Sequence, residues 1–145
     1  MADENEQRNA VIAAAHAWIG TPFHDGACTK GIGVDCAQLV RIVAIEAGIA
    51  DVAPTGPYGA QWMLHRDDER LIDFVRRYAR EIEASMAKPG DVIAYRIARA
   101  YAHLAILVAP DRIIHAHKHM GFVIESAIDG LDLSGRERRY FSPWR

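Results

Sequence analysis

The chain has 145 residues, half of them apolar and a quarter charged, so it is long enough for one globular domain and too short for two ordinary ones. A net charge of −2 argues against a nucleic-acid-binding protein, which normally carries a basic surplus. No apolar run could span a bilayer, and residues 1–6 lack the basic and apolar regions of a secretory signal. We therefore expect one soluble domain over residues 1–145, synthesised in the cytoplasm.

The two cysteines are too few for a disulfide framework and lack the spacing of a zinc or redox motif. The sequence assigns no role to Cys28. Cys36 follows Asp35, a good helix N-cap residue. A thiol in the first helical turn lies beside unpaired backbone N–H groups, which favour the reactive thiolate. A small buried apolar residue fits the same position equally well.

Three segments show helical periodicity. The first covers about residues 5–19 and ends at Gly20, and the second runs from Ala37 to Ala47 and ends at Gly48. A third begins at Asp67 and Asp68. Its apolar face comprises Leu71, Phe74, Val75 and Tyr78, and its solvent face comprises Arg66, Arg70, Arg76, Arg77 and Arg80.

The segments between the helices read as loops, and the second half of the chain reads as β-structure. Glycine-rich residues 21–33 form an irregular connection suited to lining a site, and residues 51–62 form a Pro/Gly loop. A turn at Lys88-Pro89-Gly90-Asp91 precedes the strands, so we predict an α+β fold with a small antiparallel sheet. The predicted strands are Val92–Ile97, Ala102–Val108, Arg112–His117, Phe122–Glu125 and a last one at Tyr140-Phe141.

Two histidines lie on neighbouring predicted strands, and their relative orientation depends on the intervening loop. A three-residue loop over residues 109–111 would place His103 opposite His117 and His115 opposite Ala105, all on one face. A two- or four-residue loop would place His103 and His115 on opposite faces.

A Cys-His-His site is one interpretation of these residues. Ala105 is small enough to leave room above the sheet for the helix that carries Cys36. Each histidine taken alone also fits a satisfied core position. The tract His115-His117-His119 resembles a metal-binding sequence, but its residues would be crowded and lack a nearby acidic ligand, so a thiol site is favoured. His16 and His65 are expected at the surface or in caps.

Five short motifs occur in a familiar order. They are Trp18-Ile19-Gly20-Thr21-Pro22-Phe23, Val34-Asp35-Cys36-Ala37-Gln38-Leu39-Val40, Lys88-Pro89-Gly90-Asp91-Val92, His103-Leu104-Ala105-Ile106-Leu107 and Ile113-Ile114-His115-Ala116. Each is weak alone. Together they make the chain resemble the NlpC/P60 superfamily of cell-wall cysteine peptidases.

The resemblance implies a papain-like α+β fold in which the cysteine helix packs on a five- or six-stranded antiparallel sheet. It assigns the nucleophile to Cys36, the general base to His103 and the orienting polar residue to His115. It implies no metal or organic cofactor. The substrates it implies are peptidoglycan stem peptides, usually cut between D-glutamate and a diamino acid.

Five further residues are expected to contact the substrate or shape the cleft: Phe23, His24, Gly33, Asp35 and His117. Many relatives carry Tyr where this chain has Phe23, so either His24 or a backbone group is expected to replace that hydroxyl. The sequence Gly-Thr-Pro-Phe-His and the Ala-Gln after the cysteine look most like versions encoded with phage-like tail genes. Tail or hub proteins are therefore expected partners, with neither nucleic acid nor membrane involved, and the protein would reach the cell wall on a particle.

Two alternatives remain open. The chain could be a non-catalytic tail or hub component that keeps the fold to bind peptidoglycan. It could also be a histidine-rich metal-binding domain.

Overall fold

The computed structural model describes residues 2–51 and 70–144. Within those ranges its helices are α1 (Glu4–Ala17), α2 (Cys36–Glu46) and α3 (Arg70–Val75). The first two confirm the helices predicted from periodicity, and α1 begins at a capping box formed by Asp3 and Glu6. No helix among these residues has both the length and the apolar character needed to cross a bilayer.

The described part of the third helix covers six residues. Leu71, Phe74 and Val75 are buried as predicted. The helix ends at Val75, however, and Tyr78 packs against the core from the residues that follow. Four predictions lie outside the described residues: the helix start at Asp67 and Asp68, the loop over residues 52–62, His65, and Arg66 on the solvent face.

The strands form two antiparallel sheets, which confirms the α+β prediction. β1 (Cys28–Thr29) and β2 (Gly33–Val34) pair within the stretch that we predicted to be irregular. The larger sheet has six strands in the order β3-β8-β4-β5-β6-β7. These are β3 (Arg80–Ile82), β4 (Val92–Ile97), β5 (Ala100–Ala109), β6 (Arg112–His117), β7 (Phe122–Ala127) and β8 (Arg138–Ser142).

The prediction of Arg80 on the solvent face of a helix is wrong. Arg80 begins β3 and pairs with Ser142 of β8, near the end of the chain. The charge pattern that suggested a helical face also suits an edge strand, whose outer side chains are solvated. The pairing that decides between the two is long-range, so local periodicity did not reveal it.

The six-stranded sheet separates two apolar layers. Leu104 and Ile114 face α1, α2 and α3 in the main core. Ala105 faces the other side, in a smaller cluster that includes Leu133 of a short 3-10 helix. The prediction that Ala105 leaves room for α2 is therefore wrong, because successive strand residues point to opposite faces and α2 packs on the other one.

The connection between β5 and β6 contains a β-bulge. Ala109 pairs with Arg112, so the loop has two residues rather than the predicted three. The register then shifts at Val108, and Leu107 pairs with Ile113. One extra residue in one strand reverses the facing of every later side chain, so the bulge compensates for the shorter loop.

Beyond the bulge, the strands follow the register that the longer loop would have produced. His103 and His115 consequently share a face, and His103 Nε2 lies 2.8 Å from His115 Nδ1. The predicted loop length is wrong, but the predicted shared face is confirmed.

The Pro-Gly-Asp turn is held by a buried ion pair. Arg8 of α1 donates from Nη1 to the Asp91 carboxylate at 3.0 Å and to the carbonyl of Pro89 at 3.1 Å. Gly90 has φ +108°, and a Cβ there would lie 3.2 Å from the Arg8 side chain, so glycine suits both the backbone and the space. The other Asp91 oxygen accepts the backbone N–H of Lys88 at 2.9 Å. The turn thereby connects α1 to the start of β4.

We expect Asp91→Ala to destabilise the fold by about 3–5 kcal/mol, because it leaves the Arg8 guanidinium buried without its carboxylate. Glu4→Ala is the matched control, since Glu4 pairs with the same arginine at 2.8 Å but is partly exposed. That control should cost about 1 kcal/mol or less. Urea unfolding measures both free energies, and equal losses would contradict the role given to the buried pair.

Candidate active site

Cys36 is the first residue of α2, and Asp35 fixes that helix start. One Asp35 oxygen accepts the backbone N–H of Gln38 at 2.9 Å, and the other accepts the backbone N–H of Gly26 at 2.7 Å. The predicted N-cap is confirmed. Because both oxygens bind backbone groups, the carboxylate attaches the preceding loop to the helix that carries the thiol.

The loop before α2 folds back on itself through β1 and β2. Gly33 is buried, and a Cβ there would lie 3.0 Å from the Cβ of His24, so glycine permits this close approach. His24 donates its backbone N–H to Val34 at 3.0 Å, while its side chain is exposed. Cys28 is half-buried, with its Sγ 3.9 Å from the carbonyl oxygen of Gln38.

A cavity of about 70 Å³ brings Cys36 and His103 together. Cys36 is 5% exposed, and its thiol contacts the backbone of Leu104, the neighbour of His103 in β5. Neither His24, His115 nor His117 belongs to the described lining. That lining consists of Phe23, Asp25, Asp35, Cys36, Ala37, Leu71, Ala102, His103, Ala116 and Lys118.

A hydrogen-bonded row extends from His103 away from the cavity. His103 Nε2 contacts His115 Nδ1 at 2.8 Å, and His115 Nε2 contacts the Ser126 hydroxyl oxygen at 2.9 Å. His115 is completely buried, whereas His103 is half-buried. Since Nε2 of His103 is taken by His115, Nδ1 is the ring nitrogen that remains for chemistry with the thiol.

His117 is held by different partners. Its Nδ1 accepts the backbone N–H of Met120 at 3.0 Å, so its Nε2 carries the proton and donates to Asp132 at 2.8 Å. Hydrogen bonding to His117 lowers the pKa of the Asp132 carboxyl. Both ring nitrogens of His117 are thus engaged within the protein, and its role in substrate binding stays a prediction.

The His115-His117-His119 tract does not converge on one point. Among the described residues, no group of three His, Cys, Asp or Glu side chains is arranged to hold a metal ion. The first two histidines of the tract instead use their ring nitrogens on protein partners.

A family model described as the NlpC/P60 family matches residues 20–140. The chain belongs to the NlpC/P60 family. The NlpC/p60 domain of peptidoglycan hydrolase SagA has a similar structure, with a TM-score of 0.66 at 20% identity over 91% of this chain and 96% of that one. The P60 domain of antigen MAP1204 from M. avium subspecies paratuberculosis gives a TM-score of 0.70 at 18% identity over 97% of each chain.

A third similar structure is RipD from Mycobacterium tuberculosis, described as a non-catalytic NlpC/p60 domain protein adapted to peptidoglycan binding. Its TM-score is 0.63 at 15% identity, over 94% of this chain and 96% of that one. Some similar structures are longer: the chain spans 42% of one NLP/P60-family protein from Staphylococcus aureus. No curated protein matches the chain in sequence. The family therefore contains peptidoglycan hydrolases and members without catalysis.

Burial favours the uncharged forms of the thiol and the imidazoles in this NlpC/P60 domain. It raises the pKa of Cys36 to about 12, and the nearby Asp35 carboxylate acts in the same direction. Hydrogen bonds from the backbones of Leu104 and Ala37 lower that pKa but do not outweigh the burial. Burial therefore opposes the thiolate that the helix N-terminus favours, and the reactive thiolate at Cys36 stays a prediction.

The two histidines follow the same rule. Burial lowers the pKa of His103 to about 4 and that of His115 to about 3, and the neighbouring histidines add to both shifts. Their resting state is a pair of neutral rings.

Sequence reasoning missed Ser126, Asp132 and two charged residues at the cavity, Asp25 and Lys118. Ser126 pairs with Ile113 in the β6–β7 ladder, which places it on the same face as His115. The predicted strand Phe122–Glu125 stops one residue before Ser126, whereas β7 continues to Ala127. Extending that strand by one residue would have placed Ser126 on the histidine face, because side chains alternate along a strand.

We expect the protein to lose stability as the pH falls from about 6.5 toward 4. Neutral His103 and His115 cannot bind a proton in the folded state until the pH approaches about 4 and 3, whereas the unfolded chain binds protons near pH 6.5. Stability present above pH 6.5 is therefore lost below it. Thermal unfolding between pH 7.5 and 5 measures the slope.

His115→Gln should flatten that slope, whatever its effect on the midpoint at pH 7.5. His16→Gln, at an exposed position on α1, should leave the slope unchanged. An equal slope in all three proteins would show that buried neutral imidazoles do not control this range.

We expect alkylation of Cys36 by iodoacetamide to accelerate continuously up to at least pH 9, because its pKa is raised to about 12. The experiment uses Cys28→Ala as the background so that only one thiol reacts. Mass spectrometry of the modified peptide gives the rate at each pH. A rate plateau between pH 5 and 8 would instead reveal a resting thiolate–imidazolium pair.

Proposed function

We propose that this NlpC/P60 domain is a cysteine peptidase that hydrolyses an amide bond in peptidoglycan stem peptides. The observation that carries the proposal is the shared cavity of Cys36 and His103, with His103 in turn hydrogen-bonded to His115. A nucleophile, a base and a group that orients the base are the parts that covalent acyl transfer requires.

The proposed reaction starts from uncharged side chains. Nδ1 of His103 takes the thiol proton as Sγ of Cys36 attacks the amide carbonyl carbon, and the backbone N–H of Cys36 stabilises the oxyanion. The protonated His103 then donates to the leaving amine as the C–N bond breaks. Water, deprotonated by His103, attacks the resulting thioester and releases the acid product and the free thiol.

The charges at the cavity suit a stem peptide. Asp25 and Lys118 place one group of each sign beside Cys36 and His103. The bond between D-glutamate and a diamino acid is flanked by a free carboxylate and by an amine, so opposite charges could bind both sides of it. We propose this bond as the substrate bond.

The other site residues receive proposed roles consistent with their positions. Phe23 supplies an apolar wall of the cavity, while Asp35 and Gly33 hold the loop that shapes it. His24 lies outside the described lining, so we propose that a backbone group performs the polar role of the tyrosine common in relatives. Association with a phage-like tail also stays a proposal, and it rests on the sequence around Phe23 and Cys36 alone.

A second candidate is a binding protein without catalysis. Two observations favour it: Cys36 is 5% exposed in a small cavity, and the structurally similar RipD is described as non-catalytic. In that case the fold would bind stem peptides without cutting them. Assays of cleavage and of binding on the same preparation distinguish the two.

We expect Cys36→Ala to reduce hydrolysis of a γ-D-glutamyl-diaminopimelate peptide by at least about 1,000-fold, because it removes the sulfur atom that forms the proposed acyl intermediate. Cys28→Ala is the matched thiol control and should retain wild-type activity. Product mass spectrometry on the peptide and on purified peptidoglycan identifies the bond.

Full activity in Cys36→Ala would overturn the peptidase proposal. An intact substrate with the wild-type protein, together with co-sedimentation of that protein with peptidoglycan, would establish the binding function instead.

A further inference from the structure

Ser126 lies at the far end of the row that begins at His103. It is near the end of β7, which is the edge strand of the six-stranded sheet opposite β3. Its hydroxyl oxygen lies 2.9 Å from His115 Nε2 and 3.2 Å from the carbonyl oxygen of Ala127. The mechanism above does not use this residue.

The hydrogens along this row can be counted from the carbonyl inward. A carbonyl oxygen only accepts, so the Ser126 hydroxyl donates its single hydrogen to Ala127. The hydrogen between Ser126 and His115 must then belong to Nε2 of His115. A neutral imidazole carries one N–H, so Nδ1 of His115 is an acceptor.

The same count continues into the site. Since His115 Nδ1 accepts, the hydrogen in its 2.8 Å contact with His103 belongs to His103 Nε2. Nδ1 of His103 therefore bears the lone pair. This is the nitrogen that the proposed reaction requires as the base for the Cys36 thiol.

We propose that Ser126 is a positioning residue that fixes the tautomers of both site histidines. Its hydroxyl oxygen accepts a hydrogen bond from the Nε2–H group of His115, and its O–H donates to the carbonyl oxygen of Ala127. The inference rests on the proposed function for its catalytic consequence. Its claim about tautomers stands on the hydrogen-bond geometry alone.

The acceptor at the end of the row is itself held in place. The Ala127 carbonyl also accepts the backbone N–H of Gly130 at 2.9 Å, which closes the turn after β7. A Cβ at Gly130 would lie 3.1 Å from that carbonyl oxygen and would press on it. The turn thus maintains the oxygen that orients the Ser126 hydroxyl.

The test combines nitrogen-15 NMR of the histidine rings with kinetics on the full chain. At pH 7, both His103 and His115 should give the pattern of the Nε2–H tautomer, with signals assigned through His103→Gln and His115→Gln. Ser126→Ala should convert the His115 signal to a mixture of tautomers. It should also lower kcat by about two- to tenfold with KM unchanged, which corresponds to losing one hydrogen bond.

Ser126→Thr keeps the hydroxyl and should restore both the tautomer pattern and kcat. Ser134→Ala, an exposed serine in the following segment, is the matched control and should change neither. A wild-type His115 with its proton on Nδ1, or an unchanged His115 spectrum in Ser126→Ala, would overturn the inference. Absence of hydrolysis by the wild-type protein would overturn the proposed function instead, while the ring spectra would still decide the role of Ser126.

Discussion

The bulge at Val108 determines whether His103 and His115 lie on the same face of the sheet, where they can form the candidate site. A two-residue loop joins β5 to β6, and without an extra residue it would direct His103 and His115 to opposite faces of the sheet. With the bulge, His103 Nε2 lies 2.8 Å from His115 Nδ1. The hydrogen-bonded row from His103 to the Ala127 carbonyl therefore depends on a local irregularity at the opposite end of the strands.

The second constraint concerns how a thiol meets a histidine across a sheet. α2 packs on one face, whereas the histidine rings lie on the other with Tyr95, whose ring centroid is 6.0 Å from that of His103. β5 contains another register shift beside His103, where its pairing with β4 is interrupted. The Cys36 thiol reaches the strand backbone at Leu104 there, so both groups can line one cavity.

Local sequence predicted what local physics decides. The α2 start followed from Asp35, whose side chain caps the helix, and β4 and β6 followed from apolar runs bounded by turn residues. The pairing of β3 with the C-terminal strand was not predictable in this way, because it joins residues about sixty positions apart. The effect of burial on the Cys36 pKa was not predictable for a similar reason. Burial of the thiol depends on the packing of three helices and a sheet, and it raises the pKa more than the backbone hydrogen bonds at the helix end lower it.

The small volume of the cavity limits how much substrate and water it can hold. About 70 Å³ has room for only a few water molecules, far less than a stem peptide occupies. The proposed substrate would therefore lie mainly outside the cavity and insert little more than its reacting amide. Such an insertion would exclude water from the Cys36 thiol and the His103 imidazole when charge develops on them. In the proposed reaction, the water that hydrolyses the thioester would enter the space that the leaving amine vacates. A cavity of this size would thereby limit the access of the water that completes the proposed hydrolysis.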